Sequence, residues 1–122
     1  MMMIDLIGKP YDFKSYNCWH HAVFVRDQVG IKTKQFAPRT LENAFKVITA
    51  QMQALGHGLL KVDAPQDYDI CIVHKKISGR EVYHCGVYFE GRVSHCCREA
   101  RQVRFEELSA FQSGFEGITF WR

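Results

Sequence analysis

The apolar residues of this chain change their spacing once, and that change limits the folds open to it. Before Gly56 they recur every three or four positions, and from Tyr68 onward they alternate with polar neighbours. The first spacing belongs to helices with one buried stripe, the second to half-buried strands. Ala22, Val25 and Val29, with Trp19 a turn earlier, define a first helix. Asn17 is its predicted N-cap, Cys18 lies in its first turn and Gly30 ends it. Leu41, Ala44, Phe45, Ile48, Met52 and Leu55 form a second stripe between Thr40 and Gly56, read as a core-packing helix. A connector containing Pro65 leads to predicted strands over 68–74, 81–89, 92–97 and 118–122, with turns at Ser78-Gly79 and Glu90-Gly91. Residues 105–111 read as a helical turn. Helices first and antiparallel strands afterwards predict an α+β domain with its helices packed on one face of a sheet.

Several function classes fall away on composition. The 122 residues fit one domain, and 47% hydrophobic with 24% charged residues matches a globular average. No apolar run approaches the ~20 residues of a membrane span. Met1–Ile7 is too short and too early charged for the apolar core of a signal peptide, so synthesis in the cytoplasm without such a peptide is expected. The net charge of +3 is scattered. Glu99, Glu106 and Glu107 dilute Arg98, Arg101 and Arg104, so residues 98–107 read as a solvated face, and neither nucleic acid nor membrane is an expected partner. Five cysteines cannot form a complete set of disulfides within one chain, and reduced thiols are the expectation.

One of those thiols is placed for chemistry. A nucleophilic cysteine must be a thiolate, and an ordinary thiol with a pKa near ~8.5 mostly is not. The positive end of a helix and a nearby imidazole both favour the thiolate. Cys18 has the first if Asn17 caps the helix, whereas Cys71 and Cys85 sit inside apolar strand patterns. The imidazole comes from the hairpin around Glu90-Gly91. If Phe89 pairs with Arg92, His95 falls opposite Gly86 and His84 shares its face. The two histidines are then diagonal neighbours with Cα atoms roughly 7–8 Å apart, with no side chain on Gly86 to separate them. Tyr83, Cys85, Val87 and Phe89 form the core row on the other face. In this arrangement His84 takes the thiol proton and His95 orients His84.

The same residues resemble a known family. Gly8-Lys9-Pro10-Tyr11, then Tyr16-Asn17-Cys18-Trp19 with Gly30-Ile31 at the helix end, is similar to the N-terminal signature of NlpC/P60 cysteine peptidases. Asp67-Tyr68-Asp69-Ile70, His84-Cys85-Gly86-Val87-Tyr88 and Val93-Ser94-His95 resemble the family's strand motifs, and Val103–Leu108 with Phe120-Trp121-Arg122 its closing elements. The resemblance spans the chain except residues 32–66, which read as a lineage-specific helical insertion. It implies a papain-like core, a Cys18–His84–His95 triad, and a Tyr11 hydroxyl that positions or stabilises the oxyanion. It implies no cofactor and no metal. The implied substrate is an amide bond in the peptide stem of bacterial peptidoglycan, opened through a thioester. The Cys-Trp pair resembles the subgroup found in tail-tip peptidases of long-tailed phages, which implies phage tail proteins as partners and delivery by the virion.

Asn17 stands where that family usually has Asp, His20-His21 where it has Gly-Leu, and the loop from Tyr11 to Cys18 is short. Trp19 and His20 are candidate substrate contacts, while His20 and His21 otherwise read as solvated helix positions. Two other readings remain open. A metal-binding module would draw on Cys18, His20, His21, His84, Cys85, His95, Cys96 and Cys97, although neighbouring strand residues face opposite ways. A catalytically silent tail-assembly protein would keep the same fold.

Overall fold

The structure is a computed structural model, and it describes residues 3–33 and 59–122. The second predicted helix, over 41–55, lies outside the described residues, as does most of the 32–66 insertion. Among the described residues, a 3-10 turn (Met3–Leu6) precedes helix α1 (Cys18–Gln28). Strands β1 (Lys61–Val62), β2 (Ile70–Ile77), β3 (Arg80–Phe89), β4 (Arg92–Cys97) and β5 (Gln102–Glu107) follow. A short helix α2 (Leu108–Gln112) and strand β6 (Gly117–Trp121) come last. The fold is mixed α+β: one six-stranded sheet in the order β1-β6-β2-β3-β4-β5, antiparallel at every pairing and flanked by the helices.

Helix α1 starts where its cap says it should. Asn17 Oδ1 accepts from the N–H of Trp19 at 3.0 Å and of His20 at 3.1 Å. His20 Nδ1 reaches back to accept from the Asn17 N–H at 3.2 Å, which completes a capping box. The apolar side of α1, carrying Trp19, Ala22 and Val25, packs on Ile70, Ile72, Cys85 and Val87. Burying a side chain such as Val25 stabilises by about 1.5–3 kcal/mol. The opposite face of the sheet carries Cys71, Val73 and Val93, and Phe111 of α2 covers them.

Of the N-terminal helices, α1 packs on one face of the sheet, and α2, near the C-terminus, covers the other face. One sequence expectation is corrected here. Residues 105–111 are not one helical turn: the chain first runs as β5, pairing His95↔Arg104 and Cys96↔Val103, and becomes helical only at Leu108. Val103 and Phe105 alternate inward, and the open edge of β4 takes them up as a strand.

The hairpin between β3 and β4 has the expected register: Phe89↔Arg92, Tyr88↔Val93 and Val87↔Ser94. Its two-residue turn uses left-handed backbone at Glu90 (φ 48) and Gly91 (φ 82), the conformation that suits tight hairpins. The ladder stops at Val87↔Ser94, although both strands continue beyond it. The start of α1 lies against both strands there, with the Cys96 thiol donating to the Tyr16 carbonyl at 3.4 Å. At the other end of the sheet, Arg122 makes two bonds of 3.0 and 2.9 Å to the buried carboxylate of Asp69.

Gly86 sits at the point where the ladder stops. A Cβ there would collide with Val93 Cγ1 and stand 2.9 Å from the Ser94 carbonyl oxygen and 3.0 Å from His95 Cβ. Overpacking of this kind costs about 1–3 kcal/mol. Gly86→Ala is therefore expected to lower Tm by several degrees in a thermal melt, while Gly79→Ala, a control with open space around it but a positive φ, should show only its turn strain.

Candidate active site

A cleft of about 470 Å³ opens where β3 and β4 part, and Tyr11, Cys18, His84, His95, Glu106 and Phe111 are among its lining residues. Three parts of the chain deliver these side chains. The capped start of α1 holds Cys18, 3% exposed. Strands β3 and β4 carry the two histidines, whose rings meet edge to face with His84 Nε2 2.8 Å from His95 Nδ1. The ring of Phe111 packs on both, 5.6 Å from His84 and 4.9 Å from His95 between centroids. Since Nε2 of His84 is engaged with His95, Nδ1 is the nitrogen left for the thiol.

The Cys18 thiol is subject to opposing effects. Burial by itself raises its pKa, but hydrogen bonding with Cys85 and with His84, together with the charge of His84, outweighs burial and holds the thiol well below its ordinary value. The other four thiols move the opposite way. Burial pushes Cys71 and Cys96 up to about 12 and raises Cys97, and burial with the neighbouring Cys18 raises Cys85. One thiol of five is thus favoured as thiolate. Burial, with the charges of His84, His21 and Arg104, pushes His95 down to about 3, so it is neutral near pH 7.

Residues 8–11 run along the outer edge of β5, with Gly8 N–H to Val103 O at 3.0 Å, Val103 N–H to Lys9 O at 2.8 Å and Tyr11 N–H to Arg101 O at 3.0 Å. This pairing brings Tyr11 to the cleft. Its hydroxyl is buried there without a hydrogen-bond partner among the described residues, and burial followed by the negative Cys18 raises its pKa to about 12. The group is a protonated donor without an acceptor among those residues. The cap of α1 uses the N–H groups of Trp19 and His20, and the Asn17 carbonyl takes that of His21. The N–H of Cys18 is the first-turn donor that the cap does not use.

The structure brings Cys18, His84, His95 and Tyr11 to one cleft and takes other candidates away from it. Trp19 is not among the residues lining the cleft; it is 3% exposed within the core between α1 and the sheet, because the apolar stripe of α1 faces inward at that position. His20 is spent on the capping box. His21 is not a solvated residue. It is fully buried, with Nδ1 2.7 Å from the Tyr16 hydroxyl and Nε2 2.8 Å from Ser94 Oγ. Arg104 and Glu106 are not merely a solvated face either, because β5 turns both toward His95 and the cleft. Alternation of Val103 and Phe105 is the signal that would have found them. Among the described residues, no three His, Cys, Asp or Glu side chains converge in a way that could hold a metal ion. No helix among them is long and apolar enough to cross a membrane.

A scan against protein-family models finds no match to this chain, and a search of curated proteins finds none either.

A thiol held as thiolate reacts at pH values where its neighbours do not, and each unit of lowered pKa is worth about tenfold in thiolate fraction. Iodoacetamide at about pH 6–7 is expected to alkylate Cys18 well ahead of Cys71, Cys85, Cys96 and Cys97, read by peptide mass spectrometry. His84→Ala should slow that labelling about tenfold or more. Equal reactivity of all five thiols in the folded protein would contradict the assignment.

Proposed function

We propose that this protein is a cysteine hydrolase that opens an amide bond through a thioester, with Cys18 as nucleophile, His84 as general base and acid, and His95 as orienter. What supports this reading is the gathering of Cys18, His84, His95 and Tyr11 in one cleft, with His84 Nε2 2.8 Å from His95 Nδ1, the Cys18 thiol lowered in pKa next to Cys85 and His84, and a buried Tyr11 hydroxyl that has no acceptor among the described residues. Cys18 sulfur attacks the carbonyl carbon while its proton resides on His84 Nδ1. Charge then builds on the carbonyl oxygen, and the Tyr11 hydroxyl and the Cys18 N–H are the donors available to it. Collapse breaks the C–N bond, and His84 returns the proton to the leaving amine. In the second half His84 deprotonates a water, which attacks the thioester carbonyl and releases the acid and the free thiol.

The α+β sheet with a cysteine at a helix start and histidines on adjoining strands is consistent with a papain-like core, which we infer for this chain. With the motifs around Tyr11, Cys18, His84 and His95, it supports an NlpC/P60-like peptidase. We accordingly infer the peptide stem of peptidoglycan as substrate, with delivery by a phage tail as the route that the Cys18-Trp19 pair favours.

Digestion of purified peptidoglycan, with mass spectrometry of the fragments, tests the whole proposal. Cleavage should vanish in Cys18→Ala and fall by about 10²–10⁴ in His84→Ala. In Tyr11→Phe, kcat should fall roughly a hundredfold, as for the loss of one oxyanion donor, with little change in KM. Release of no new amine or carboxyl group by the wild-type protein from stem peptides would refute the substrate assignment. Undiminished cleavage by Cys18→Ala would refute the mechanism.

A further inference from the structure

The orienting histidine has a second nitrogen, and its surroundings are unusual. His95 Nε2 is buried and has no hydrogen-bond partner among the described residues. The Glu106 carboxylate approaches it, with Oε2 3.6 Å away. The other oxygen of Glu106 is held by Arg104 Nε at 2.7 Å. Strand pairing sets this up, because His95 faces Arg104 across the β4–β5 ladder and Val93 faces Glu106 one pleat further along. All four side chains therefore lie on the face of the sheet that carries the cleft.

We propose that Glu106 is a positioning residue of the catalytic chain: its carboxylate fixes the proton of His95 on Nε2, so that His95 Nδ1 can only accept a hydrogen bond from His84. The inference rests on the hydrolase reading above. Two tautomeric arrangements satisfy the 2.8 Å contact between the histidines, and they have opposite consequences. With the His95 proton on Nδ1, that nitrogen donates to His84 Nε2. The proton of neutral His84 is then forced onto Nδ1, facing the thiol, and His84 cannot act as base. With the proton on Nε2, His95 accepts from His84 Nε2–H, and His84 Nδ1 is free to take the proton of Cys18. Only the second arrangement is productive. A carboxylate beside Nε2 favours it, whereas the neighbouring cationic Arg104 alone would disfavour it.

The carboxylate also answers a weakness of a neutral orienter. An imidazole stabilises the imidazolium of His84 less than a carboxylate would, and Glu106 supplies the negative charge one ring further out. No proton passes along the whole chain. The thiol proton moves to His84, the His95 proton stays on Nε2, and Glu106 stays ionised. The separation of 3.6 Å is longer than a hydrogen bond, and contacts of this kind tighten as charge develops in the working complex. The charged or titratable groups facing His95 are His84 from β3, His21 from α1, and Arg104 and Glu106 from β5. Glu106 is the one acid among them.

Two measurements on the full chain decide the matter. The first is the rate of Cys18 alkylation by iodoacetamide across pH, in wild type, His84→Ala and Glu106→Gln. Glu106→Gln should label about five- to tenfold more slowly near pH 6, with the deficit shrinking near pH 9 as the thiolate forms unaided. A role confined to stabilising β5 would lower Tm and leave the pH dependence in place. If Cys18 is selectively reactive and dependent on His84 while Glu106→Gln matches wild type at every pH, this proposal alone is overturned. If Cys18 labels like the other thiols and His84→Ala is silent, the hydrolase reading falls and takes this proposal with it. The second measurement needs no variant: nitrogen-15 NMR of the histidine rings in the wild-type protein. His95 is expected as the neutral Nε2–H tautomer, and a proton on Nδ1 would overturn the proposal.

Discussion

A 2.8 Å hydrogen bond between two imidazoles on adjoining strands organises the cleft. Such a contact needs strands in register, side chains on one face, and no third side chain between them. The turn at Glu90-Gly91 supplies the register, the period-two alternation supplies the face, and Gly86 supplies the gap. Phe111 then packs on both rings, and His95 is buried. Each condition comes from a different level of structure, and failure of any one would separate the rings.

The thiol obeys a different balance. Burial alone would leave Cys18 as inert as Cys71, which lies in the same sheet environment as ordinary core residues. What distinguishes Cys18 is the company it is buried in. The ladder between β3 and β4 ends early, and the capped end of α1 occupies the space where they part, so the sulfur meets His84 and Cys85 together. Burial still opposes the thiolate there, and the contacts with Cys85 and His84 outweigh it. The desolvation that silences four cysteines is overcome at the fifth by its neighbours.

Much of this could be read from residue order because it depends on local rules. A cap at Asn17, a two-residue turn and strict alternation act over a few residues, and they were enough to bring His84 and His95 together. What escaped the sequence depends on partners far along the chain. Trp19 and His21 neighbour Cys18, yet helix geometry turns one into the core and the other toward Ser94, 73 residues later. β5 was hidden because the charges of Arg98, Arg101, Arg104, Glu106 and Glu107 outweigh the quiet alternation of Val103 and Phe105. The free edge of β4 decided that segment, and an unpaired edge is invisible until the sheet is assembled.

The buried run from Tyr16 through His21 to Ser94 has a mechanical meaning. Burial, with the charges of Lys9 and His84, pushes His21 down to about 3, so it serves as a neutral bridge accepting from one hydroxyl and donating to the other, or the reverse. Tyr16 stands two residues before Cys18 and Ser94 one residue before His95. The bridge therefore works as a tie rod between the helix start that carries Cys18 and the strand that carries His95. Helix and strand cannot drift apart without breaking the buried His21–Ser94 bond, and the spacing between sulfur and imidazoles is held by that bond.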